Sequence, residues 1–274
     1  MVNVVKWDGR REPFNRRKLY KTLIRFGASA GVAEEISKRI ESEVYEGITT
    51  KKVLDMAVGL LGERKPSVGK MKDLKTALGA MIPMPDFEEY VRILFRAKGY
   101  KVAPNRVIQG FCVTHEIDGI LEKDGETIYL EVKNHSNPHT STPFNVTLAA
   151  KAKWDDIQRG YEKGLNEHTF DRVLIVCNTR LTKHAEDYAR CIGLDHVGWN
   201  VPKGTGIDSI ISETGIYPVT ILKALTHNDH NMLSEAGIIS LDQLTTNDLT
   251  GVKITKSRKE ALRKEASMVL NSDD

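Results

Sequence analysis

Three polar residues on two neighbouring predicted strands suit catalysis by their types and spacing. Asp118 lies on one strand, and Glu131 and Lys133 lie on the next, after a turn at Asp124-Gly125 that joins the strands as a hairpin. Side chains alternate along a strand, so Tyr129, Glu131 and Lys133 share one face. Two carboxylates from paired strands can hold a hard divalent cation, for which Mg²⁺ (or Mn²⁺) is the expected ion.

A cation held by Asp118 and Glu131 would polarise a phosphate group and lower the pKa of a bound water molecule. Lys133 would position that water or stabilise the charge that develops on the phosphate. The alternative is an exposed hairpin in which Glu131 and Lys133 form a surface pair. These three residues alone do not decide between a metal-dependent hydrolytic site and a surface pair.

The elements around these residues alternate between helices and strands. Pro83 and Pro85 break the preceding helical pattern and mark a domain boundary. Beyond them, a helix capped by Asp86 and ending at Gly99 leads into strands and crossover helices. This order predicts an α/β domain over residues 84–203, with helices on both faces of its sheet. The predicted strands are 100–103, 107–113, 116–121, 127–133, 173–177 and 196–200, and the predicted helices are 148–163 and 183–192.

The flanking segments are predicted to be mainly helical. In residues 1–83, a short strand precedes a helix capped by Asn15. Further helices are expected there over 33–45, 50–61 and 69–81. Residues 204–274 contain short amphipathic pieces separated by glycines, which indicates a small helical module of the helix-hairpin or SAM-like type. Backbone amides and lysines at such turns can bind duplex phosphates, and a packing or dimerisation module is the alternative.

The composition is that of a globular protein with little charge bias. Hydrophobic residues make up 40% of the chain, and a net charge of +3 with a pI near 8.6 permits nucleic acid as a partner without arguing for it. The three cysteines form no C-x-x-C pair. No stretch approaches about 18 consecutive apolar residues. We therefore expect a cytoplasmic protein with no membrane partner, no disulfide framework and no zinc knuckle.

Other familiar catalytic and ligand-binding patterns are missing from the sequence. It has no Walker A loop, no G-x-G-x-x-G after a strand and no G-x-S-x-G. His135 and His139 are separated by Pro138, so they cannot share a helical face as a zinc pair. These observations argue against acyl transfer and zinc chemistry, and any nucleotide would have to bind in another way.

The segment His115-Glu116-Ile117-Asp118, followed by Glu131-Val132-Lys133, resembles the PD-(D/E)xK nuclease signature and is closest to its Mrr-like restriction endonuclease branch. The resemblance extends over roughly residues 86 to 200, with Ile117 where the family name has proline. It implies a restriction-endonuclease-like mixed sheet flanked by helices, and hydrolysis of DNA to 5′-phosphate and 3′-hydroxyl ends. It also implies a homodimer, because related enzymes pair subunits to cut both strands.

The same resemblance assigns further residues to the site. Glu88 matches the acid that the family's first helix often contributes, whereas Glu89 is expected to form a capping box with Asp86. Gln158 lies where related enzymes sometimes place a polar assisting residue, and an ordinary exposed helix position is the alternative. Candidates on that helix for contacts with the DNA backbone are Lys151 and Lys153.

The sequence from Val5 to Leu19 resembles the start of the ATP-cone domain, and the resemblance covers about residues 2 to 81. It implies a regulatory pocket for an adenine nucleotide, with ATP or dATP as an effector rather than a fuel. One departure is Trp7, where the family commonly has a basic residue. The positions that match the family's nucleotide pocket are Lys6, Glu12, Asn15, Lys18 and Thr50.

Three hypotheses follow from these patterns. The leading one is an endodeoxyribonuclease whose activity or assembly responds to an adenine nucleotide. The second is a nucleotide-sensing DNA-binding regulator whose nuclease fold no longer cuts, against which the presence of Asp118, Glu131 and Lys133 argues. The third is a nuclease with the same chemistry that acts on DNA junctions or flaps.

Overall fold

The computed structural model describes residues 2–26 and 28–271, which form two compact units. The strands in this part of the chain are β1 (Asn3–Val5), β2 (Arg11–Pro13), β3 (Lys101–Ala103), β4 (Arg106–Gln109), β5 (Thr114–Ile117), β6 (Gly119–Lys123), β7 (Glu126–Lys133), β8 (Arg172–Cys177) and β9 (Asp195–Val197). The helices are α1 (Arg16–Arg25), α2 (Ala30–Glu43), α3 (Thr50–Arg64), α4 (Pro66–Gly69), α5 (Leu74–Gly79), α6 (Glu88–Ala97), α7 (Phe144–Glu162), α8 (Lys183–Cys191), α9 (Ile207–Thr214), α10 (His227–Glu235), α11 (Leu241–Thr246) and α12 (Lys256–Leu270).

The first unit contains the chain up to Met71, Leu222–Ala224 and the chain from Ile254 onward. Its helices α1, α2 and α3 begin at side chains that accept a hydrogen bond from a backbone N–H three residues later. These capping residues are Asn15, Ser29 and Thr49. The apolar faces of the three helices and of β1 bury a common core, so the predicted mainly helical N-terminal segment is confirmed.

The predicted single helix over residues 69–81 is wrong. α4 ends at Gly69, and α5 begins at Leu74 in the second unit. The break has a local cause, because the Asp73 carboxylate accepts a hydrogen bond of 3.0 Å from Thr76 N and so starts a new helix.

The second unit is built on a five-stranded mixed sheet with the strand order β3-β6-β7-β8-β9. β3, β6 and β7 are antiparallel, whereas β7, β8 and β9 are parallel. The predicted alternation along β7 is confirmed, because Ile128, Leu130 and Val132 enter one core and Tyr129 enters the core on the opposite face. Helices cover both faces of the sheet, as the α/β prediction requires.

The predicted strand over residues 116–121 is in fact two strands that meet at Asp118. β5 pairs with β4 in a separate two-stranded ribbon, and β6 pairs with β7 in the main sheet. Glycine at position 119 allows this change of partner. A Cβ atom there would lie only 3.1 Å from the carbonyl oxygen of Ala103, so a larger residue would press against the β3 backbone. The predicted strand over 107–113 is also shorter, since β4 ends at Gln109.

The entry to α6 differs from the predicted cap at Asp86. A turn over Pro83–Phe87 leads directly into α6, with no side-chain hydrogen bond at its start. The Asp86 carboxylate is buried and accepts a hydrogen bond of 2.7 Å from Ser234 Oγ instead. The expected capping box with Glu89 is therefore absent, and Glu89 forms ion pairs with Arg92 and Arg96.

The C-terminal segment is divided between the two units. α9, α10 and α11 belong to the second unit, and α12 belongs to the first. The predicted helical character of residues 204–274 is confirmed.

Candidate active site

Asp118 occupies the single residue between β5 and β6. Its Oδ2 atom accepts a hydrogen bond of 2.6 Å from Val132 N on β7, which places its carboxylate beside Glu131. The Asp118 carbonyl oxygen accepts a hydrogen bond of 2.6 Å from Nη1 of Arg92, a buried residue of α6. The two main sequence-predicted carboxylates are thus brought together, and the chain around one of them is fixed from two sides.

Glu131 is 2% exposed and is surrounded by donors. Its Oε1 atom lies 2.9 Å from Nζ of Lys133, and its Oε2 atom lies 3.1 Å from Nζ of Lys153. The hydroxyl of buried Tyr129 also donates to Oε2. Two ammonium groups and a phenol therefore compensate the burial of this carboxylate.

The two carboxylates have opposite pKa shifts. Burial, together with the nearby charge of Glu131, raises the pKa of Asp118 to about 6. Burial acts in the same direction on Glu131, but Lys133 and Lys153 outweigh it and hold the pKa of Glu131 below its ordinary value. Asp118 is consequently the carboxylate whose charge is less well compensated by the protein.

Glu88, the first residue of α6, belongs to the same electrostatic cluster. It is buried, and burial followed by repulsion from Asp118 raises its pKa to about 7. Nη1 of Arg92 lies 3.9 Å from its carboxylate and partly offsets this effect. The structure therefore places the third sequence-predicted acid within electrostatic reach of Asp118.

Gln158 has a different environment from the other predicted site residues. It lies five residues after Lys153 on α7, which turns it about 140° around the helix axis. Its Oε1 atom accepts a hydrogen bond of 3.2 Å from Thr169 Oγ1. On the same helix, Lys151 is paired with Asp155. Lys153 is thus the α7 side chain that reaches the carboxylates.

Sequence reasoning missed the contacts that Tyr129, Arg92 and Lys153 make in this site. The alternation of β7 already placed Tyr129 on the same face as Glu131, so that contact had a readable signal. Arg92 and Lys153 lie on helices remote in sequence, and no spacing rule relates them to Asp118 or Glu131.

The β4–β5 ribbon is attached to α7 by Asp156. The carboxylate of Asp156 lies 2.8 Å from Nε2 of His115 and accepts hydrogen bonds from the backbone N–H groups of Cys112 and Val113 at 2.9 and 3.2 Å. Gly110 permits this close approach, because a Cβ atom there would lie 2.2 Å from Asp156 Oδ2. β5 is therefore held in place just before it reaches Asp118.

The residues of this site fit a hard divalent cation by their donor chemistry. Asp118 and Glu131 supply anionic oxygen atoms on adjacent strands, and the raised pKa of Asp118 marks a negative charge that a cation would stabilise. Among the described residues, no group of three or more histidine, cysteine, aspartate or glutamate side chains forms a preassembled metal cluster. The protein thus offers two carboxylate ligands, and water and substrate oxygen atoms would complete the coordination.

The residues matched to a nucleotide pocket lie in the first unit. The Nζ atoms of Lys6 and Lys18 lie 3.0 and 3.3 Å from the same oxygen, Oε1 of Glu12. The Asn15 side chain caps α1 by accepting a hydrogen bond from Lys18 N, and Thr50 is the first residue of α3. A backbone hydrogen bond of 2.9 Å from Val5 N to Ile48 O brings the start of α3 near β1. These contacts bring β1, β2 and the starts of α1 and α3 close to one another.

Comparison with known families gives three matches along the chain. A model of the ATP cone domain matches residues 2–71, and a restriction endonuclease model of the Mrr catalytic type matches residues 80–194. A model described as AF1548-like, C-terminal, matches residues 217–270. A protein of Archaeoglobus fulgidus described as uncharacterised is 32% identical over 130 residues, which cover 47% of this chain and 70% of the relative.

The chain contains a restriction endonuclease domain of the Mrr catalytic type. Its nuclease-type domain follows an N-terminal ATP cone, which confirms both resemblances noted in the sequence. The ATP-cone match ends at Met71, close to the point where the first unit gives way to the second.

Two solved structures are similar to this one. The crystal structure of AF1548, described as a protein of unknown function, is 27% identical with a TM-score of 0.57, and the match covers 67% of this chain and 96% of that one. A repair endonuclease from Pyrococcus abyssi is 17% identical with a TM-score of 0.32, over 42% of this chain and 45% of its own. Within the described residues, no helix is both long and apolar enough to cross a membrane.

Proposed function

We propose that this protein is a metal-dependent endodeoxyribonuclease that hydrolyses DNA phosphodiester bonds and is regulated by ATP or dATP at its ATP cone. The observation that carries the proposal is the meeting of Asp118, Glu131 and Lys133 within a restriction-endonuclease-type domain. Their arrangement combines two hard carboxylate ligands with an ammonium group at one end of a buried strand.

Each side chain has a distinct role in this proposal. Mg²⁺ or Mn²⁺, when bound by Asp118 and Glu131, would supply Lewis acidity toward the phosphate and a lowered pKa for water. Lys133, which is 41% exposed, can turn from Glu131 toward a phosphate oxygen or the attacking water. Lys153 and Tyr129 keep Glu131 ionised and oriented. Glu88, with a pKa of about 7, can exchange a proton near neutral pH.

The ATP cone supplies the proposed regulation. Lys6 and Lys18 converge on one carboxylate oxygen of Glu12, and a nucleotide phosphate would offer the same two lysines a more highly charged partner. Trp7 is 64% exposed beside Lys6, where its ring is accessible to a base. We propose that binding there acts as a switch, because the resemblance to the ATP cone implies a regulatory nucleotide site.

A homodimer is part of the proposal, because a single site cuts one strand and a second subunit would provide the site for the other. Analytical ultracentrifugation with and without ATP tests it. A dimer in either condition would support paired cutting, and a monomer bound to duplex DNA would refute it.

The direct test is incubation of the purified protein with supercoiled plasmid, Mg²⁺ or Mn²⁺, and either ATP, dATP or no nucleotide. We expect nicking or linearisation by the wild type, none by Asp118→Ala, and wild-type cutting by Glu162→Ala, which alters an exposed carboxylate on α7. DNA binding without cutting under every condition would refute the nuclease and favour the regulator. Cutting of branched DNA alone would favour the junction or flap nuclease.

A further inference from the structure

We propose that Lys75, Arg180 and Trp199 form a subsite for a DNA backbone phosphate that flanks the scissile one. The proposal rests on the proposed nuclease function and adds a substrate contact outside the carboxylate cluster. No residue of this subsite contacts Asp118 or Glu131 through a hydrogen bond or ion pair among the described residues.

The two cationic side chains converge on one tryptophan. Nζ of Lys75 lies 6.0 Å from the centroid of the Trp199 ring, and Nε of Arg180 donates a hydrogen bond of 2.9 Å to the Trp199 carbonyl oxygen. Trp199 is itself fixed by a hydrogen bond of 2.7 Å from its backbone N–H to Thr179 O. Lys75 and Arg180 are therefore held near one another by contacts with the same residue.

Neither cation forms an ion pair with a carboxylate within the described part of the chain. The nearest acid in sequence to Lys75 is Asp73, whose Oδ2 atom is engaged by Thr76 N and Thr76 Oγ1 at 3.0 and 3.2 Å. The pair differs in this respect from Lys133 and Lys153, which both lie beside the Glu131 carboxylate.

The surroundings of Lys75 disfavour its positive charge. Burial lowers its pKa, the charge of Asp73 opposes that effect, and the positive charge of Arg180 lowers the pKa further. Half-buried ammonium groups normally gain a compensating anion. A phosphate bound between Lys75 and Arg180 would supply it, with two donors of different geometry on one anion.

The position of the pair relates it to the candidate active site. Lys133 and Cys177 are opposite each other at the ends of the parallel strands β7 and β8, and Arg180 follows Cys177 by three residues. Asn134, the residue after Lys133, donates a hydrogen bond of 2.9 Å from Nδ2 to Leu78 O of α5, the helix that carries Lys75. Both cations therefore lie beyond the carboxyl ends of the strands, at the edge where Lys133 lies and where α/β sheets bind ligands.

A strand of DNA bound at Lys133 would continue along this edge. Lysine and arginine neutralise backbone phosphates without reading sequence, and each neutralised phosphate releases a condensed counterion. The proposal consequently predicts a contribution to affinity that is independent of sequence and decreases with salt.

The test is equilibrium binding of a fluorescently labelled duplex to the full chain in EDTA, followed by anisotropy over a range of salt concentrations. The variants are Lys75→Gln, Arg180→Gln and the charge-preserving Lys75→Arg, which are compared with Lys163→Gln. Lys163 is an exposed lysine at the far end of α7, toward the opposite edge of the sheet. Thermal unfolding checks that each variant is folded.

We expect each Gln variant to raise Kd by about 3- to 10-fold and to reduce the slope of log K against log salt by roughly one. Lys75→Arg and Lys163→Gln should bind as the wild type does. A duplex with and without a 5′-phosphate should bind equally. Binding that requires the 5′-phosphate would overturn the assignment to an internal phosphate.

The subsite and the proposed nuclease can fail separately. Wild-type protein that cuts plasmid, together with Gln variants that bind DNA as tightly as Lys163→Gln, would overturn the subsite and leave the nuclease intact. Weaker binding by the Gln variants, together with a wild type that cuts no DNA, would support the phosphate contact and refute the nuclease. A wild type that binds no DNA would overturn both.

Discussion

Replacing Asp118 with asparagine should make the metal-free protein more stable at alkaline pH. The pKa of Asp118 rises from its ordinary value of 3.8 to about 6 in the folded chain. At about 1.36 kcal/mol per pKa unit, ionising this buried carboxyl in the folded state costs ~3 kcal/mol. Asparagine removes the charge and keeps an oxygen acceptor for Val132 N. We therefore expect the free energy of unfolding of Asp118→Asn at pH 8 to exceed that of the wild type by ~1–3 kcal/mol.

The pH dependence of this gain follows from the direction of the pKa shift. The folded chain holds the Asp118 proton more tightly than the unfolded chain. The stabilisation that protonated Asp118 contributes is therefore fully present below pH 3.8 and is lost as the pH rises through about 6. The difference between Asp118→Asn and the wild type should therefore be largest above pH 7 and should shrink steadily toward pH 4.

Urea unfolding in EDTA at several pH values measures this difference, and a second series contains Mg²⁺. The metal should stabilise the wild type, because an ion that binds only the folded state adds to its stability, and it should have no such effect on Asp118→Asn. Glu162→Gln serves as the control, since this exposed carboxylate is outside the cluster. An asparagine variant that is less stable than the wild type at pH 8 in EDTA would refute the electrostatic reasoning.

Three further outcomes follow from the contacts around the two sites. Lys153→Met should lower the cleavage rate by about 100-fold, because a cation beside Glu131 is lost. The control variant Lys163→Met should cleave at the wild-type rate. Equal rates for the two variants would contradict a role for Lys153 in the site. Tyr129→Phe should lower the free energy of unfolding measured in urea by ~1–3 kcal/mol, because buried Glu131 loses a hydrogen-bond donor. An unchanged urea midpoint would contradict this expectation. Lys18→Gln should weaken ATP binding in calorimetry by about 10-fold relative to Lys38→Gln, and undiminished affinity would exclude Lys18 from the pocket.

Much of the sheet could be predicted from periodicity alone. β7 alternates between two buried faces, so the sequence pattern identified both the strand and the face that carries Glu131. The turn at Asp124-Gly125 set the hairpin register between β6 and β7, and that register brought Asp118 close to Glu131. The two carboxylates were therefore predictable because only local geometry relates them.

The change of sheet at Asp118 could not be predicted in the same way. Residues 116–121 alternate well enough for one strand, and the decisive factors are tertiary: the space that Gly119 leaves beside Ala103 O, and the hydrogen bond from Arg92 to Asp118 O. The contact between Lys153 and Glu131 likewise depends on how α7 packs against the sheet. Propensity and spacing carry no information about such contacts between distant segments.

The helical segments show the same limit. Proline and glycine correctly indicated helix ends near residues 83 and 99. The break between α4 and α5 was not predicted, because the apolar periodicity of residues 69–81 continues through the helix cap at Asp73.

The central claim is that Asp118 and Glu131 form a metal-dependent site that hydrolyses DNA. Its most direct test is plasmid cleavage by the wild type and Glu131→Gln in Mg²⁺ at pH 8, with enzymatic analysis of the ends. We predict cutting to 5′-phosphate and 3′-hydroxyl ends by the wild type, its loss in EDTA and its loss in Glu131→Gln. Cleavage that survives in EDTA or in a folded Glu131→Gln variant would contradict the assignment of this site.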